Sequence, residues 1–216
     1  MNTLTKLVLG AMGALRPEPV LGDAERRITL PPPERELPAA LMQALARRCS
    51  IRAFRAEPLP SQVLANLLWA ADGVNRNGGG RTAPSALGAN EIRVIVALPE
   101  GAYAYEPSTH TLELVAAADL RRVTGYQDFV DDAPLDLVYV ADHARMSLVP
   151  VAQREGYASV AAGAIAQNVY LYCAAAGLGS VLRAWIDREA IAQALGLPPS
   201  QHVLLSQTVG YPQAHT

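Results

Sequence analysis

Arg47-Arg48-Cys49-Ser50-Ile51-Arg52-Ala53-Phe54, RRCSIRAF, puts three arginines and a serine within six positions of a chain in which only 18% of residues are charged. As a helix, these residues scatter around the axis. As an extended segment, in which side chains alternate, Arg48, Ser50 and Arg52 project from one face and their donors converge. The residues alone leave two readings open, a solvated basic turn after a helix and an anion-binding face.

The surrounding chain limits the choice. Its 216 residues, half of them hydrophobic, are enough for a full core, and we expect one principal domain over residues 37–216 preceded by an N-terminal segment and extended arm, 1–36. Eighteen basic residues against twenty acidic ones leave a net charge of -2, which gives no electrostatic footprint for nucleic acid or an anionic membrane. The two cysteines, Cys49 and Cys173, are too few for a disulfide framework. The apolar run LVLGAMGAL, 7–15, is too short to span a bilayer, and RPEPVLGDAERR, 16–27, offers no clear small-x-small cleavage site, a secretory signal being the alternative reading. An N-terminal amphipathic helix and a cytoplasmic location are the expectations.

Proline and charge dominate from Arg16 to Pro38, so this stretch reads as an extended arm rather than a packed element. Helices are expected over about 40–48 and 61–72, the second ended by Gly73. NRNGGGRTAPSALGAN, 75–90, reads as a loop. IRVIVAL (92–98) and LDLVYVAD (135–142) read as buried strands, and GAYAYEP with HTLELVA as a hairpin. A long helix crowded with small residues spans about 153–176, with Gly177 as its C-cap, and a helix over about 187–195 precedes the strand HVLLSQTVG, 202–210. The fold class is therefore α+β, a mostly antiparallel central sheet flanked by helices.

No phosphate-cradling GxxxxGK[ST], GxSxG elbow or metal-ligand spacing of histidines occurs, so no metal is expected. Two polar sites remain. Two arginines and a hydroxyl on one face suit a phosphate monoester, because guanidinium forks match its charge and geometry. The glycine-rich loop, with Arg81, Thr82, Ser85 and Asn90, suits the edge of a flat polar ring.

RRCSIRAF, PLPSQVLANLLWAADGVN (58–75), GRTAPSA (80–86), GAYAYEP, AQNVYLYCAAAGLGS (166–180) and VGYP (209–212) together resemble the nitroreductase family of flavoproteins, in the variant found in SagB-type dehydrogenases. The resemblance runs from about Leu37 to Pro212. It implies an intertwined homodimer with FMN at the subunit interface, NAD(P)H as electron donor and a small-molecule acceptor such as a nitro compound or quinone. It assigns the flavin phosphate and ribityl chain to Arg48, Ser50 and Arg52, with Arg47 beside them. Pro84, Ser85 and Ala86 of the partner subunit would lie against the ring, and in the segment Leu182 to Trp185, which includes Arg183 and Ala184, a main-chain N–H of Arg183 or Ala184 would meet the reactive ring nitrogen.

The chain also departs from that family. It ends GYPQAHT without the basic pair that completes the phosphate site in many relatives, leaving Arg183 or Arg81 as substitutes. Ala86 and Gly88 stand where many relatives have polar residues, leaving backbone amides or Asn90 for the ring edge. No catalytic acid or base is assigned, and Tyr126, Tyr157 and Arg183 are expected to line the pocket. The alternatives are a dehydrogenase of peptide heterocycles, a non-catalytic flavin-binding protein and a cofactor-free dimeric interaction protein.

Overall fold

The computed structural model describes residues 1–20, 22–36 and 39–213. In chain order the elements are α1 (Thr3–Ala11), β1 (Glu18–Pro19), β2 (Arg27–Thr29), α2 (Leu41–Arg47), α3 (Ser61–Asp72), β3 (Ile92–Leu98), β4 (Gly101–Glu106), β5 (Thr111–Ala116), β6 (Ala118–Asp119), β7 (Leu135–Asp142), α4 (Val151–Ala176), β8 (Gly179–Arg183), α5 (Arg188–Leu195) and β9 (Gln201–Gly210). Seven strands form one sheet in the order β2-β5-β4-β3-β7-β9-β8, and every pairing is antiparallel. This is the expected α+β arrangement, an antiparallel central sheet flanked by helices.

The apolar runs of β3 and β7 are continuous because both faces of the central sheet are covered. Val94, Val96, Leu137 and Tyr139 pack on one face with Leu64, Leu67 and Leu68 of α3 and with Ala158, Ala162, Ile165 and Val169 of α4. Ile95, Ala97, Val138 and Val140 point the other way and pack with Leu15 and with Ile191 and Leu195 of α5.

The arm departs from its expectation. Arg27–Thr29 joins the sheet edge against β5, with Ile28 opposite Leu112, and Leu30 is buried in the core. The proline run that follows lies along α3, where Gln62 Nε2 donates to Pro32 O at 2.9 Å and Asn66 Oδ1 accepts the Glu34 N–H at 2.7 Å. An edge strand tolerates neighbouring prolines, because one side of its backbone needs no partner. The expected boundary at residues 36 and 37 abuts Leu37 and Pro38, which lie outside the described residues.

Two glycines close the long elements for different reasons. Gly177 caps α4 with φ +74°, a left-handed conformation that glycine adopts without strain. Gly73 ends α3 in an extended conformation (φ -71°, ψ 157°), and is required because a Cβ there would come within 2.3 Å of the Trp69 ring.

Candidate flavin site

The basic stretch is extended, and its hydrogen bonds explain why. Helix α2 ends at Arg47, and Arg48 turns out of it with φ -57° and ψ 120°. Ile51 N–H then donates to Ser180 O at 3.0 Å, and Arg55 N–H donates to Tyr211 O at 2.9 Å. The segment thus lies across the start of β8 and the end of β9. Ile51 faces Gly179, where a Cβ would come within 2.9 Å of its side chain. This close approach is the role of the second glycine of Gly177-Leu178-Gly179.

Arg48 and Ser50 meet at a residue the sequence reading did not single out. Tyr170, on α4, has its hydroxyl 3.0 Å from Ser50 Oγ, and the Arg48 guanidinium lies 5.2 Å from the centre of its ring. The same hydroxyl accepts the Leu182 N–H at 2.8 Å. Tyr170 therefore joins the arginine–serine segment to the segment assigned to the ring nitrogen. Arg52 and Arg47 are exposed, and among the described residues no carboxylate pairs with Arg47, Arg48 or Arg52. Arg55 lies 4.9 Å from the Tyr211 ring and pairs with Glu57 at 2.9 Å.

The Pro84-Ser85-Ala86 turn is a second, separate construction. Ser85 Oγ donates to Glu91 Oε2 at 2.6 Å and accepts the Asn90 N–H at 2.7 Å. Glu91 is fully buried, another feature the sequence reading passed over, although a carboxylate directly before a buried strand is a legible signal. Asn90 has φ +49° and folds its side chain back to donate to Gly88 O at 3.2 Å. The base of the turn is tied to the end of α3. Arg81 Nη1 donates to Asp72 Oδ2 at 2.5 Å, and Thr82 N–H donates to Gly73 O at 2.9 Å. Burial pushes the Asp72 carboxyl up to about 7, because desolvation outweighs the opposing pull of Arg81. Pro84, Ser85 and Ala86 face Tyr157, Val160 and Ala161 of α4 across an open, mostly apolar cavity of about 400 Å³.

Within one chain these two half-sites stay apart. The turn lies by Val160 and the arginine segment by Tyr170, ten residues further along α4, and a helix rises about 15 Å over ten residues.

The third group divides. Leu182 is held by Tyr170, and Ala184 is exposed just past the end of β8. The Arg183 side chain is buried and does not line a pocket or reach a phosphate. Its Nη2 donates to Asp136 Oδ1 at 2.6 Å and Thr208 Oγ1 at 2.9 Å, and its Nη1 donates to Thr124 O at 2.8 Å. Asp136 is also buried, and desolvation raises its pKa against the pull of Arg183. A buried guanidinium persists only with such a partner. Arg81 is likewise committed, to Asp72. Both side chains are thus held by buried carboxylates and not free for a phosphate, and Ala214–Thr216 lie outside the described residues. Of the residues expected to line a pocket, Tyr157 borders the turn cavity, and Tyr126 lies beside Trp185 with ring centres 5.5 Å apart.

Among the described residues no cluster of three or more metal-ligating side chains occurs, and no helix is long and apolar enough to cross a membrane.

The nitroreductase family model matches residues 45–211. A protein of Methanocaldococcus jannaschii provisionally named a nitroreductase is 32% identical over 161 residues, which cover 69% of this chain and 81% of that one. The crystal structure of a provisionally named nitroreductase from Ralstonia eutropha is 53% identical, with a TM-score of 0.89 over 93% of this chain and 96% of that one. At the level of fold alone, the chain is similar to the NADPH:FMN oxidoreductase of Vibrio harveyi, at 20% identity and a TM-score of 0.60 over 80% of this chain and 69% of that one. The chain belongs to the nitroreductase family.

Proposed function

We propose that this chain is an FMN-dependent oxidoreductase that takes reducing equivalents from NAD(P)H and passes them to a small organic acceptor, a nitro compound or quinone, as a homodimer. The observation that carries this reading is the open arginine segment at Tyr170. Arg47, Arg48 and Arg52 have no carboxylate partner among the described residues, and what sets their segment apart from other unpaired arginines is that Arg48 and the Ser50 hydroxyl both meet Tyr170. A guanidinium and a hydroxyl held side by side, with two further arginines on the same short segment, suit a phosphate dianion.

In this assignment Arg48 and Arg52 bind the phosphate, Ser50 and Arg47 flank it, and Tyr170 holds Ser50 in register with Leu182. A main-chain N–H of Arg183 or Ala184, at the exposed end of β8, donates to the ring edge. Pro84, Ser85 and Ala86 of a second copy cover the ring, with Asn90 shaping that turn. Bound FMN supplies hydride acceptance and release; the side chains bind, orient and shield it. Because the Ser85 hydroxyl already donates to Glu91, the turn would meet the ring through its main chain and its apolar atoms.

The separation of the half-sites along α4 favours a dimer. A twofold axis crossing α4 midway between Val160 and Tyr170 would run an antiparallel copy alongside and bring each turn to the other copy's Tyr170. Gly163 and Ala164 lie near that midpoint, and a Cβ added at Gly163 meets nothing within 4 Å. Val151, Tyr157 and Val160 on the same helix are large, apolar and exposed, as an uncovered interface would be.

The visible spectrum of the purified protein, recorded without oxygen before and after NADPH or NADH is added, tests this reading. A flavin spectrum that bleaches supports it. A bound flavin that neither donor reduces would favour a binding protein without turnover, and a protein that takes up no flavin on reconstitution would end the assignment.

A further inference from the structure

Glu91 is fully buried directly before β3, a strand that is apolar at all but one position. Among the described residues no basic side chain pairs with it, and its Oε1 has no hydrogen-bond partner. A carboxyl group so placed opposes folding, and a leucine of similar size would not. Its contacts show what it holds.

Glu91 Oε2 accepts the Ser85 hydroxyl at 2.6 Å, and that hydroxyl oxygen accepts the Asn90 N–H at 2.7 Å. Glu91 is itself anchored, because its main-chain O accepts the Asp142 N–H at the end of β7 at 2.8 Å. The turn tied in this way is strained. Leu87 and Asn90, with φ of +55° and +49°, are two of the three non-glycine residues with positive φ among those described, and Gly88 between them has φ +67°. Such conformations persist where surrounding contacts over-determine them. Behind the turn, Asp72, Arg81, Ser85, Glu91 and Ile165 border a cavity of only about 10 Å³, room for about one water, so the turn has nowhere to sink. On its other side the space is open, and the turn presents Leu87, 72% exposed.

We infer that Glu91 is a positioning residue: through the Ser85 hydroxyl it props the Pro84-Ser85-Ala86 turn forward, over the flavin ring held by the partner subunit. It therefore completes a site in the other chain, not in its own. This rests on the proposed flavin reading and adds a residue that the reading leaves unassigned. Because the turn meets the ring, Glu91 bears on the ring half of the ligand, whereas Arg48 bears on the phosphate.

The test measures binding of FMN and of riboflavin to the apoprotein by fluorescence titration, in wild type, Glu91→Leu, Glu91→Gln and Ser85→Ala. Glu91→Leu should weaken both flavins about tenfold, since the two share the ring, while leaving the subunit no less stable. Glu91→Gln keeps an acceptor on the same stem and should restore most of the affinity. Ser85→Ala cuts the same bond from the other end, so it should weaken both flavins too, and adding it to Glu91→Leu should weaken them no further. Unchanged affinities in Glu91→Leu, or a loss confined to FMN, overturn the inference. So does a loss that follows from unfolding of Glu91→Leu and is absent in Ser85→Ala.

A mixed dimer tests whether the effect crosses between chains. One Glu91→Leu chain and one Arg48→Ala chain, purified together through two different affinity tags, form one complete site and one doubly damaged site. Binding of one FMN per dimer at wild-type affinity is the expected result. Two singly weakened sites would place the action of the turn within its own chain and overturn the inference. Wild type that binds neither flavin would end the flavin reading and this inference with it, whereas wild type and Glu91→Leu that bind both flavins equally well would end this inference alone.

Discussion

The Tyr170 hydroxyl lies 3.0 Å from Ser50 Oγ, so a helix residue fixes the middle of the arginine segment. Because the same oxygen accepts the Leu182 N–H at 2.8 Å, the phosphate side and the ring side of the proposed site share one anchor. Tyr170→Phe keeps the ring under Arg48 but removes both hydrogen bonds. The expected loss of stability is about 1 to 3 kcal/mol, since the Leu182 N–H loses its partner. FMN affinity should also fall, by roughly tenfold. Urea unfolding and flavin fluorescence titration measure the two effects, and a variant as stable and as tight-binding as wild type would show that Tyr170 is packing alone.

Gly163→Leu should separate assembly from folding. Its side chain enters open space in a single chain, and leucine favours helix over glycine by a fraction of a kcal/mol up to about 1 kcal/mol. The subunit should therefore stay folded while the dimer dissociates. Size-exclusion chromatography with light scattering should show a monomer that has lost its flavin, with an unchanged circular dichroism spectrum. A flavin-bound dimer would place the twofold contact elsewhere.

Asp72 predicts the direction of one pH effect. Its carboxyl is raised from 3.8 to about 7 by burial, so the folded state holds a proton that the unfolded chain releases. That contribution to stability is fully present below the unfolded pKa and is lost as pH climbs from about 4 to 7, with a total on the order of a few kcal/mol at most. Asp72→Asn, which is neutral throughout, should remove this part of the slope. Thermal unfolding of both proteins across pH 4 to 8 checks it, and parallel profiles would mean that Arg81 keeps Asp72 charged.

Much of this architecture was legible in the chain. Ser61–Asp72 and Ile92–Leu98 fall where their periodicity and apolar runs put them, because local pattern and burial agree there. The arm was misread because β2 is three residues long and pairs with β5 about 85 residues away, a contact with no local signature. Arg48 and Ser50, which both reach Tyr170, were legible as neighbours on one face because alternation is a property of an extended backbone. Tyr170 was not, since its role depends on which side of α4 faces that segment. The Arg183 side chain was not legible for a related reason: a lone arginine near a site looks free to line it until its buried partner, Asp136, is seen across the sheet.

Equilibrium binding of FMN and riboflavin to the apoprotein, in wild type and Arg48→Ala, separates the phosphate's contribution from the ring's. Wild type should bind FMN far more tightly than riboflavin. Arg48→Ala should weaken FMN by about ten- to a hundredfold, the loss of a charge-assisted contact, and leave riboflavin unchanged. Equal affinity of wild type for the two flavins, or an Arg48→Ala protein that still holds FMN as tightly as wild type, would contradict the assignment of the arginine–serine segment to the phosphate.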